Sequence, residues 1–290
     1  MAFMDLSFPL GSPIKSVGTF IVYSNLVISV SATVPILLAC YLLGFPVVYP
    51  LLLIAFSETL FIYTLNRFSD IHEDTINLPE RVEFIRRYGA FLLLISGILF
   101  LYSLVWVIFQ SLAAGIIAFL PVGIAFFYSF FRLKRLFLMK NVLISIGWSC
   151  SIFTVGAYFH EFAILLYVLA GLIFGAVLVI SIIFDIKDRN GDTVCNIRTI
   201  PVLYGFRTAK ISCLIIIAPL VLVVFYLATR YTQFVILLPF AAYFTGYILF
   251  LTDSERIPWW YFDREYIFLL GLILIIFITG IFQLFCTSHI

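Results

Sequence analysis

Two short acidic runs, at residues 66–74 and 185–192, contain the side chains best placed for chemistry in this chain. Residues spaced by three or four along an α-helix lie on one face. The residues with this spacing are Asn66, Asp70 and Asp74 in the first run, and Asp185, Asp188 and Asp192 in the second. Each run therefore predicts a cluster of oxygen ligands on one helix face, and Gly191 is the expected end of the second helix.

Such clusters indicate binding of a cation. Carboxylates stacked on one helix face repel each other unless a cation neutralises them. Oxygen ligands without His or Cys favour a hard ion such as Mg²⁺, which usually shares its remaining positions with substrate phosphates. Two such faces opposite each other would hold a diphosphate between them. The alternative is that these are loop carboxylates paired with neighbouring Arg and Lys residues.

Basic side chains near the two runs could neutralise a diphosphate leaving group. Arg suits phosphate through its planar fork, and Lys acts as a point charge. The candidates are basic residues that the membrane orientation argued below places on the same side as the two runs. They are Arg67, Lys134, Arg135, Lys140, Lys187 and Arg198. The alternative for each is an ordinary basic residue at the membrane boundary.

Two polar side chains within apolar segments are further candidates. Glu58 lies about two helical turns deeper than Asn66, and an ionisable residue inside a membrane segment indicates function by default. Glu58 either assists deprotonation of an acceptor molecule or forms a structural bond to Tyr63 or Ser57. Asn25, in the first apolar segment, either contacts substrate or satisfies a kinked backbone.

The composition indicates that membrane helices carry these residues. The chain is 64% hydrophobic and 11% charged, with a mean hydropathy of +1.18, whereas a soluble domain is about half apolar and about a quarter charged. The net charge of +2, without a Lys- or Arg-rich run, gives no indication of nucleic-acid binding. Five scattered cysteines without a CxxC pair indicate neither a disulfide framework nor a zinc site.

Nine apolar segments are each about 20 residues long, enough to cross a bilayer as a helix. They are residues 19–43, 47–66, 88–109, 111–131, 141–159, 162–185, 210–229, 232–252 and 265–286. The two acidic runs follow the second and the sixth helix. We therefore predict an all-α integral membrane protein with one domain, 1–290, made of two four-helix units, roughly 15–140 and 141–252, and a ninth helix.

Basic residues are concentrated at one end of these nine helices. Lys15, the four long connections and Lys210, which directly follows the third of them, account for 16 of the 17 Lys and Arg residues, and only Arg230 lies at the other end. These connections are 67–87, 132–140, 186–209 and 253–264. By the positive-inside rule, the N-terminus and the long connections face the cytoplasm of a multi-pass protein in the cell membrane.

Taken together, these features resemble the UbiA superfamily of intramembrane prenyltransferases over nearly the whole chain. The resemblance rests on the two aspartate motifs, the nine helices, Tyr128-Ser with the later Leu-Lys-Arg at 133–135, and the Arg-Thr-Ile-Pro sequence at 198–201. It implies a helical bundle around a central cavity with cytoplasmic cap loops. It also implies two Mg²⁺ ions, an isoprenyl diphosphate donor and an apolar tunnel, open to membrane lipid, for the prenyl tail.

The residues and the resemblance together define an expected site. The expected metal ligands are Asn66, Asp70, Asp74, Asp185, Asp188 and Asp192. The expected catalytic residues are Asp70, Asp185, Lys134 and Glu58. The expected substrate-binding residues are Asn25, Asn66, Arg67, Tyr128, Arg132, Lys134, Lys187 and Arg198. The spacing after Tyr128 leaves open whether Arg132 or Lys134 contacts the diphosphate.

Two departures from the family pattern lie near the acceptor or headgroup region. Arg67 follows Asn66 where many members have Asp, and Ser12-Pro13-Ile-Lys15 stands where many members have Arg-Pro. The expected acceptor is therefore a hydrophobic or aromatic molecule whose identity the sequence does not assign.

Divalent-cation transport by the acidic helix faces is the alternative function. The acidic residues gather at one membrane side and only Glu58 lies deep, whereas a channel needs polar residues across the bilayer. A third class, the lipid alcohol phosphotransferases, has an Asp-Gly and Ala-Arg pattern ahead of two later aspartates, and this pattern does not occur in the chain.

Overall fold

The structure is a computed structural model that describes residues 20–130, 133 and 136–253, without the side chains of residues 128–130. Every regular element in these ranges is helical. The predicted ninth helix, residues 265–286, lies outside the described residues. Arg132, Lys134 and the side chain of Tyr128 lie outside them as well.

Ten α-helices, numbered in chain order, follow a helical turn at residues 20–23. They are α1 Leu26–Ser31, α2 Val34–Leu43, α3 Tyr49–Ser69, α4 Ile71–Asn77, α5 Pro79–Gln110, α6 Leu112–Phe130, α7 Met139–Tyr158, α8 Ile164–Val194, α9 Ile200–Arg230 and α10 Leu238–Phe250. A 3₁₀ helix, Thr232–Leu237, leads into α10. In the described part of the chain, seven helical segments are long and apolar enough to cross a membrane, and Leu112–Phe127 is a shorter apolar helix.

These eight segments correspond to the first eight predicted helices, and the protein is an integral membrane protein. Large apolar side chains such as Phe109, Ile164 and Phe250 are exposed on the outside of the bundle. Water would penalise so much exposed apolar surface, whereas lipid does not. The count of nine stays a prediction, because the ninth segment is not among the described residues.

Two predicted connections are mostly helical. Helix α5 begins at Pro79 rather than near residue 88, with the proline in its first turn, where its missing N–H is tolerated. Helix α8 continues to Val194, so the expectation that it ends at Gly191 is wrong. Gly191 does not adopt the left-handed conformation of a helix-ending glycine. Its missing side chain instead makes room for Asn77.

The first predicted span is broken twice, between residues 23 and 26 and between α1 and α2. Asn25 adopts a left-handed conformation with φ 62°, which asparagine tolerates better than most residues. The Ser29 hydroxyl donates to the Asn25 carbonyl at 2.7 Å. The break is therefore stabilised by the backbone of Asn25 and not by its side-chain amide.

The helices pack as neighbours in sequence, with α3 against α5, α6 against α7, and α8 against both α7 and α9. A core of fully buried apolar side chains lies toward the end of the bundle away from the acidic runs, and it includes Leu51, Val107, Ile152 and Leu166. Buried serines within the helices donate to carbonyls one turn earlier, as Ser57 does to Leu53 at 2.7 Å. These bonds satisfy hydroxyl groups that have no water available.

Candidate active site

The first acidic run lies at the junction of α3 and α4. Asp70 stands between the two helices with φ −104° and ψ 14°. Helical hydrogen bonding continues through this junction, because the Asp70 N–H donates to the Asn66 carbonyl at 2.8 Å and the Asp74 N–H donates to the Asp70 carbonyl at 2.9 Å. Asn66, Asp70 and Asp74 therefore remain on one side of the chain, and all three line a central cavity.

The second run lies on the last turns of α8. Asp188 and Asp192 line the same cavity as the first run. Asp185 differs from them: it is fully buried and is not among the residues that line the cavity. Its two carboxylate oxygens face Lys140 and Asn141 at the start of α7. The spacing predicted one arc for all three carboxylates, whereas packing against α7 gives Asp185 different surroundings.

Lys140 pairs with two carboxylates of the second run. Its Nζ lies 2.8 Å from Asp185 Oδ1 and 3.5 Å from Asp192 Oδ2. Asn141 Nδ2 donates to Asp185 Oδ2 at 2.7 Å and to Ser181 Oγ at 3.2 Å. A fully buried carboxylate needs such partners, because an unpaired charge is strongly unfavourable away from water. Sequence reasoning named Lys140 only as one of six basic candidates and assigned no role to Asn141.

Arg67 neutralises the first run in the same way. Its Nη1 donates to Asp74 Oδ1 at 3.1 Å and to Asp74 Oδ2 at 2.9 Å. Arg81 Nη1 lies 3.9 Å from Asp74 Oδ1. Arg67, which stands where many members of the family have Asp, thus binds the last carboxylate of the first motif through its guanidinium.

Asn77, the last residue of α4, joins the two acidic runs. Its Oδ1 accepts a hydrogen bond from the Gly191 N–H at 2.9 Å, and its Nδ2 donates to the Asp188 carbonyl at 3.4 Å. A Cβ on Gly191 would overlap the Asn77 amide, so a larger residue at 191 would displace this side chain. Sequence reasoning missed Asn77, because nothing in the local pattern indicates a contact 114 residues away.

The central cavity is charged at one end and apolar in the middle. It encloses about 1200 Å³, including its open mouth. Around the mouth stand the carboxylates of both runs with Arg67 and Lys140, and farther in the walls are Ala32, Pro121 and Leu143. This arrangement suits a ligand with a highly charged head and a hydrocarbon body.

Glu58 lies on the deep wall of this cavity and is 9% exposed. Its Oε1 has no hydrogen-bond partner among the described residues. Ser57 donates instead to the Leu53 carbonyl, and no hydrogen bond from Tyr63 reaches Glu58 Oε1. The contacts of the described residues therefore favour the functional interpretation of Glu58 over the structural one.

A smaller recess of about 730 Å³ adjoins the mouth. Arg67 and Asp188 line both spaces. The recess also contains Lys187 and Asn25, and Asn25 Nδ2 is buried without a hydrogen-bond partner in the described part of the chain. Three of the expected substrate-binding residues, Asn25, Arg67 and Lys187, thus line one recess.

Arg198 is exposed and lines neither space. Its expected contact with substrate has no counterpart in the described geometry and stays a prediction.

The described residues contain no group of three or more His, Cys, Asp or Glu side chains close enough to hold a metal ion alone. The donor set around the mouth nevertheless fits Mg²⁺. It consists of oxygen ligands from two helices facing one space, and Mg²⁺ typically takes one or two carboxylates and fills its other positions with phosphate oxygens and water. A diphosphate at the mouth would complete the coordination.

A family model described as the UbiA prenyltransferase family matches residues 26–272. No curated protein matches the chain. Among solved structures, a UbiA homologue from Archaeoglobus fulgidus bound to GPP and Mg²⁺ has a TM-score of 0.69 at 14% identity, over 89% of this chain and 98% of that one. An apo UbiA homologue from Aeropyrum pernix K1 has a TM-score of 0.67 at 14% identity, over 88% and 98%.

A solved structure described as digeranylgeranylglyceryl phosphate synthase has a TM-score of 0.55 at 17% identity, over 92% of this chain and 98% of that one. At these identities the likeness to solved structures concerns the fold.

Proposed function

The chain belongs to the UbiA prenyltransferase family, and we propose that it transfers a prenyl group from an isoprenyl diphosphate to a hydrophobic or aromatic acceptor within the membrane. The observation that carries this proposal is the cavity, whose mouth combines carboxylates from both acidic runs and whose interior is apolar. The charged end suits a metal-bound diphosphate, and the apolar walls suit a prenyl tail.

Magnesium is the proposed cofactor, with two ions for the two carboxylate faces. Its proposed ligands are Asn66, Asp70 and Asp74 on one side and Asp185, Asp188 and Asp192 on the other. Bound Mg²⁺ supplies positive charge that stabilises the diphosphate as it leaves. Solved relatives of the same fold that were bound to GPP or DMAPP with Mg²⁺ support this choice. For Asp185 the proposal requires that Lys140 release one carboxylate oxygen.

Basic side chains complete the diphosphate site. Arg67 and Lys140 line the mouth and would stabilise the negative charge that grows on the leaving group. Lys187 would act from the adjoining recess, together with the amide of Asn25. The contacts proposed for Tyr128, Arg132, Lys134 and Arg198 rest on the sequence alone.

In the reaction, the allylic C–O bond breaks and its electron pair leaves with the diphosphate. A nucleophilic atom of the acceptor forms the new bond to the prenyl carbon and loses its proton. Glu58 is the proposed proton acceptor, because it is the carboxyl group on the deep wall and its Oε1 has no partner in the described part of the chain. The apolar walls hold the reactants together and limit capture by water.

The acceptor must reach the allylic carbon from a direction that the tail does not occupy. The recess lined by Arg67, Arg81 and Lys187 offers such an approach, and its basic side chains favour an acceptor with an anionic group. The family assignment favours prenyl transfer over divalent-cation transport, the alternative function.

The experiment that tests the proposal measures diphosphate release by purified protein with a series of prenyl diphosphates and a panel of acceptors, with and without Mg²⁺. We expect release that needs Mg²⁺ and one class of acceptor and that disappears in Asp70→Ala. Glu83→Ala, an exposed position on α5 outside the cavity, is the matched control and should retain activity. Full activity in Asp70→Ala, or no donor consumed by the wild type, would overturn the proposal.

The same assay tests Glu58. Glu58→Gln keeps the shape of the side chain and removes its ability to accept a proton. We expect donor binding to stay unchanged while turnover falls about 10²–10⁴-fold, the usual contribution of a positioned general base. Unchanged turnover would leave Glu58 without a catalytic role.

A further inference from the structure

A second chamber, almost entirely apolar, lies beside the central cavity. It holds about 820 Å³, including the part open to the outside, between α2, α8, α9 and α10. Its walls include Leu38, Leu172, Ile217 and Phe240. The polar side chain in its lining, Ser31, donates its hydroxyl to the Val27 carbonyl at 2.9 Å. A chamber of this kind suits hydrocarbon and not water.

Of the described residues, Trp148 alone lines both the central cavity and this chamber. Its indole is therefore the shared wall. Tyr63 lines the central cavity together with Trp148.

The central cavity by itself is short. Asn66 at the mouth and Ala55 at the deep end are separated by eleven residues of α3, which corresponds to about 16 Å of helix. A bound diphosphate would occupy part of that length, which leaves less than this distance for the prenyl tail. Glu58 also lies on the deep wall, and a hydrocarbon packed against an unpaired carboxyl group is unfavourable. A longer tail must therefore turn aside before the end of the cavity, and the apolar space lies behind Trp148.

We propose that Trp148 limits the length of the donor's prenyl tail, and that the chamber behind it becomes available to longer tails when the indole is removed. The inference rests on the proposed function, because it assigns the tail of the same donor. Trp148 is thus a specificity-determining residue that touches substrate at the end of the tail and takes no part in bond breaking.

The test compares kcat/KM for donors of two, three, four and more isoprene units in the wild type and in Trp148→Ala. We expect the ratio of long-donor to short-donor kcat/KM to rise about tenfold or more in the variant, since burying a few additional CH₂ groups favours binding by such a factor. Turnover of the shortest donor should change little, because its tail ends before Trp148.

Two matched variants on α10 distinguish the effect of filling the chamber from the general effect of adding a bulky side chain to this helix. Ala241 lines the chamber, whereas its neighbour Ala242 is exposed on the outside of the helix. In the Trp148→Ala background, Ala241→Phe should refill the chamber and restore the wild-type preference, and Ala242→Phe should not. In the wild type, Ala241→Phe should leave the preference unchanged, because the indole already closes the chamber.

Trp148→Leu is a milder variant that keeps the test decisive if Trp148→Ala does not fold. If the wild type turns over donors and neither variant shifts the length preference, the inference is overturned while the proposed function stands. An equal loss with every donor would also overturn it, since Trp148 would then be a general donor contact. A wild type that binds no prenyl diphosphate would overturn both.

Discussion

At the scale of single residues, three carboxylates of the site are already paired with cations of the same chain. Lys140 lies between Asp185 and Asp192, and Arg67 holds Asp74. This pairing removes the repulsion that stacked carboxylates would otherwise suffer. When a metal and a diphosphate bind, the metal therefore replaces Lys140 and Arg67 as the partner of these carboxylates, and the two cations become available to the diphosphate. Binding does not create a charged site in an apolar bundle.

Lys140 and Asp185 give the first prediction at this scale. Lys140→Met removes the nearest cation from a carboxylate that is fully buried. We expect the free energy of unfolding to fall by about 3–5 kcal/mol, because the remaining charge is uncompensated. The double variant Lys140→Met/Asp185→Asn should recover most of this loss. Chemical unfolding in detergent, followed by circular dichroism, measures both changes.

Arg207→Met is the matched control for this prediction, because Arg207 is exposed on α9. It should change the unfolding free energy by less than about 0.5 kcal/mol. The double variant should remain inactive although it is folded, since it lacks a proposed cation and a proposed metal ligand. A double variant as unstable as Lys140→Met would show that the ion pair does not explain the loss.

At the scale of elements, the site depends on holding the end of α4 against the last turns of α8. The two acidic runs lie on separate helices, and Asn77 bonds the backbone of the second run at Gly191 and Asp188. Helix α8 stays continuous past Gly191, so it presents Asp188 and Asp192 to the cavity from a rigid element. Asn77 and Gly191 therefore bond the two runs directly, within the wider packing of α4 against α8.

This contact predicts that Gly191→Ala has opposite effects in two backgrounds. In the wild type, the new Cβ would overlap the Asn77 amide, and we expect a loss of about 1–3 kcal/mol in unfolding free energy. In the Asn77→Ala background the space is open. Alanine should then stabilise the helix by about 1 kcal/mol relative to glycine.

Thermal unfolding of the four proteins in this cycle, with donor affinity measured beside it, checks the prediction. Asn77→Ala alone should weaken donor binding, because it releases the two runs from each other. Gly171→Ala, at an exposed position of α8 where a Cβ meets no other atom, is the control and should be tolerated in both backgrounds. The same destabilisation by Gly191→Ala in both backgrounds would contradict the packing explanation.

At the scale of the whole molecule, the site lies at one end of the helical bundle. Carboxylates of both acidic runs line a mouth at that end, together with Arg67 and Lys140. Arg230 ends α9 at the opposite end. Since the membrane potential and the insertion machinery retain Lys and Arg on the cytoplasmic side, we propose that the mouth opens to the cytoplasm.

Cysteine labelling in intact cells tests this orientation. The four described cysteines are buried, so a Cys286→Ser background limits unwanted labelling. A membrane-impermeant maleimide should label Thr232→Cys, an exposed position beyond α9, in intact cells. It should label Glu83→Cys, near the mouth, only after the cells are opened. The reverse pattern would place the site on the outer face.

The sequence alone was sufficient for the membrane class, the approximate positions of the first eight membrane segments and the family, and it brought Asn66, Asp70 and Asp74 to one side of the chain. These features depend on local properties: apolar length determines what can span a bilayer, and a spacing of three or four determines which side chains share a helix face. Asn66, Asp70 and Asp74 line one cavity because helical hydrogen bonding carries this periodicity across the junction at Asp70.

Tertiary structure alone determined which charges meet and where the apolar space lies. Asp185 differs from Asp188 because α7 brings Lys140 and Asn141 against it. Asn77 reaches Gly191 across 114 residues, and Trp148 separates two cavities built from different helices. Such contacts follow from how helices pack, and packing depends on side chains distant in sequence. No local pattern of residue types could therefore predict them.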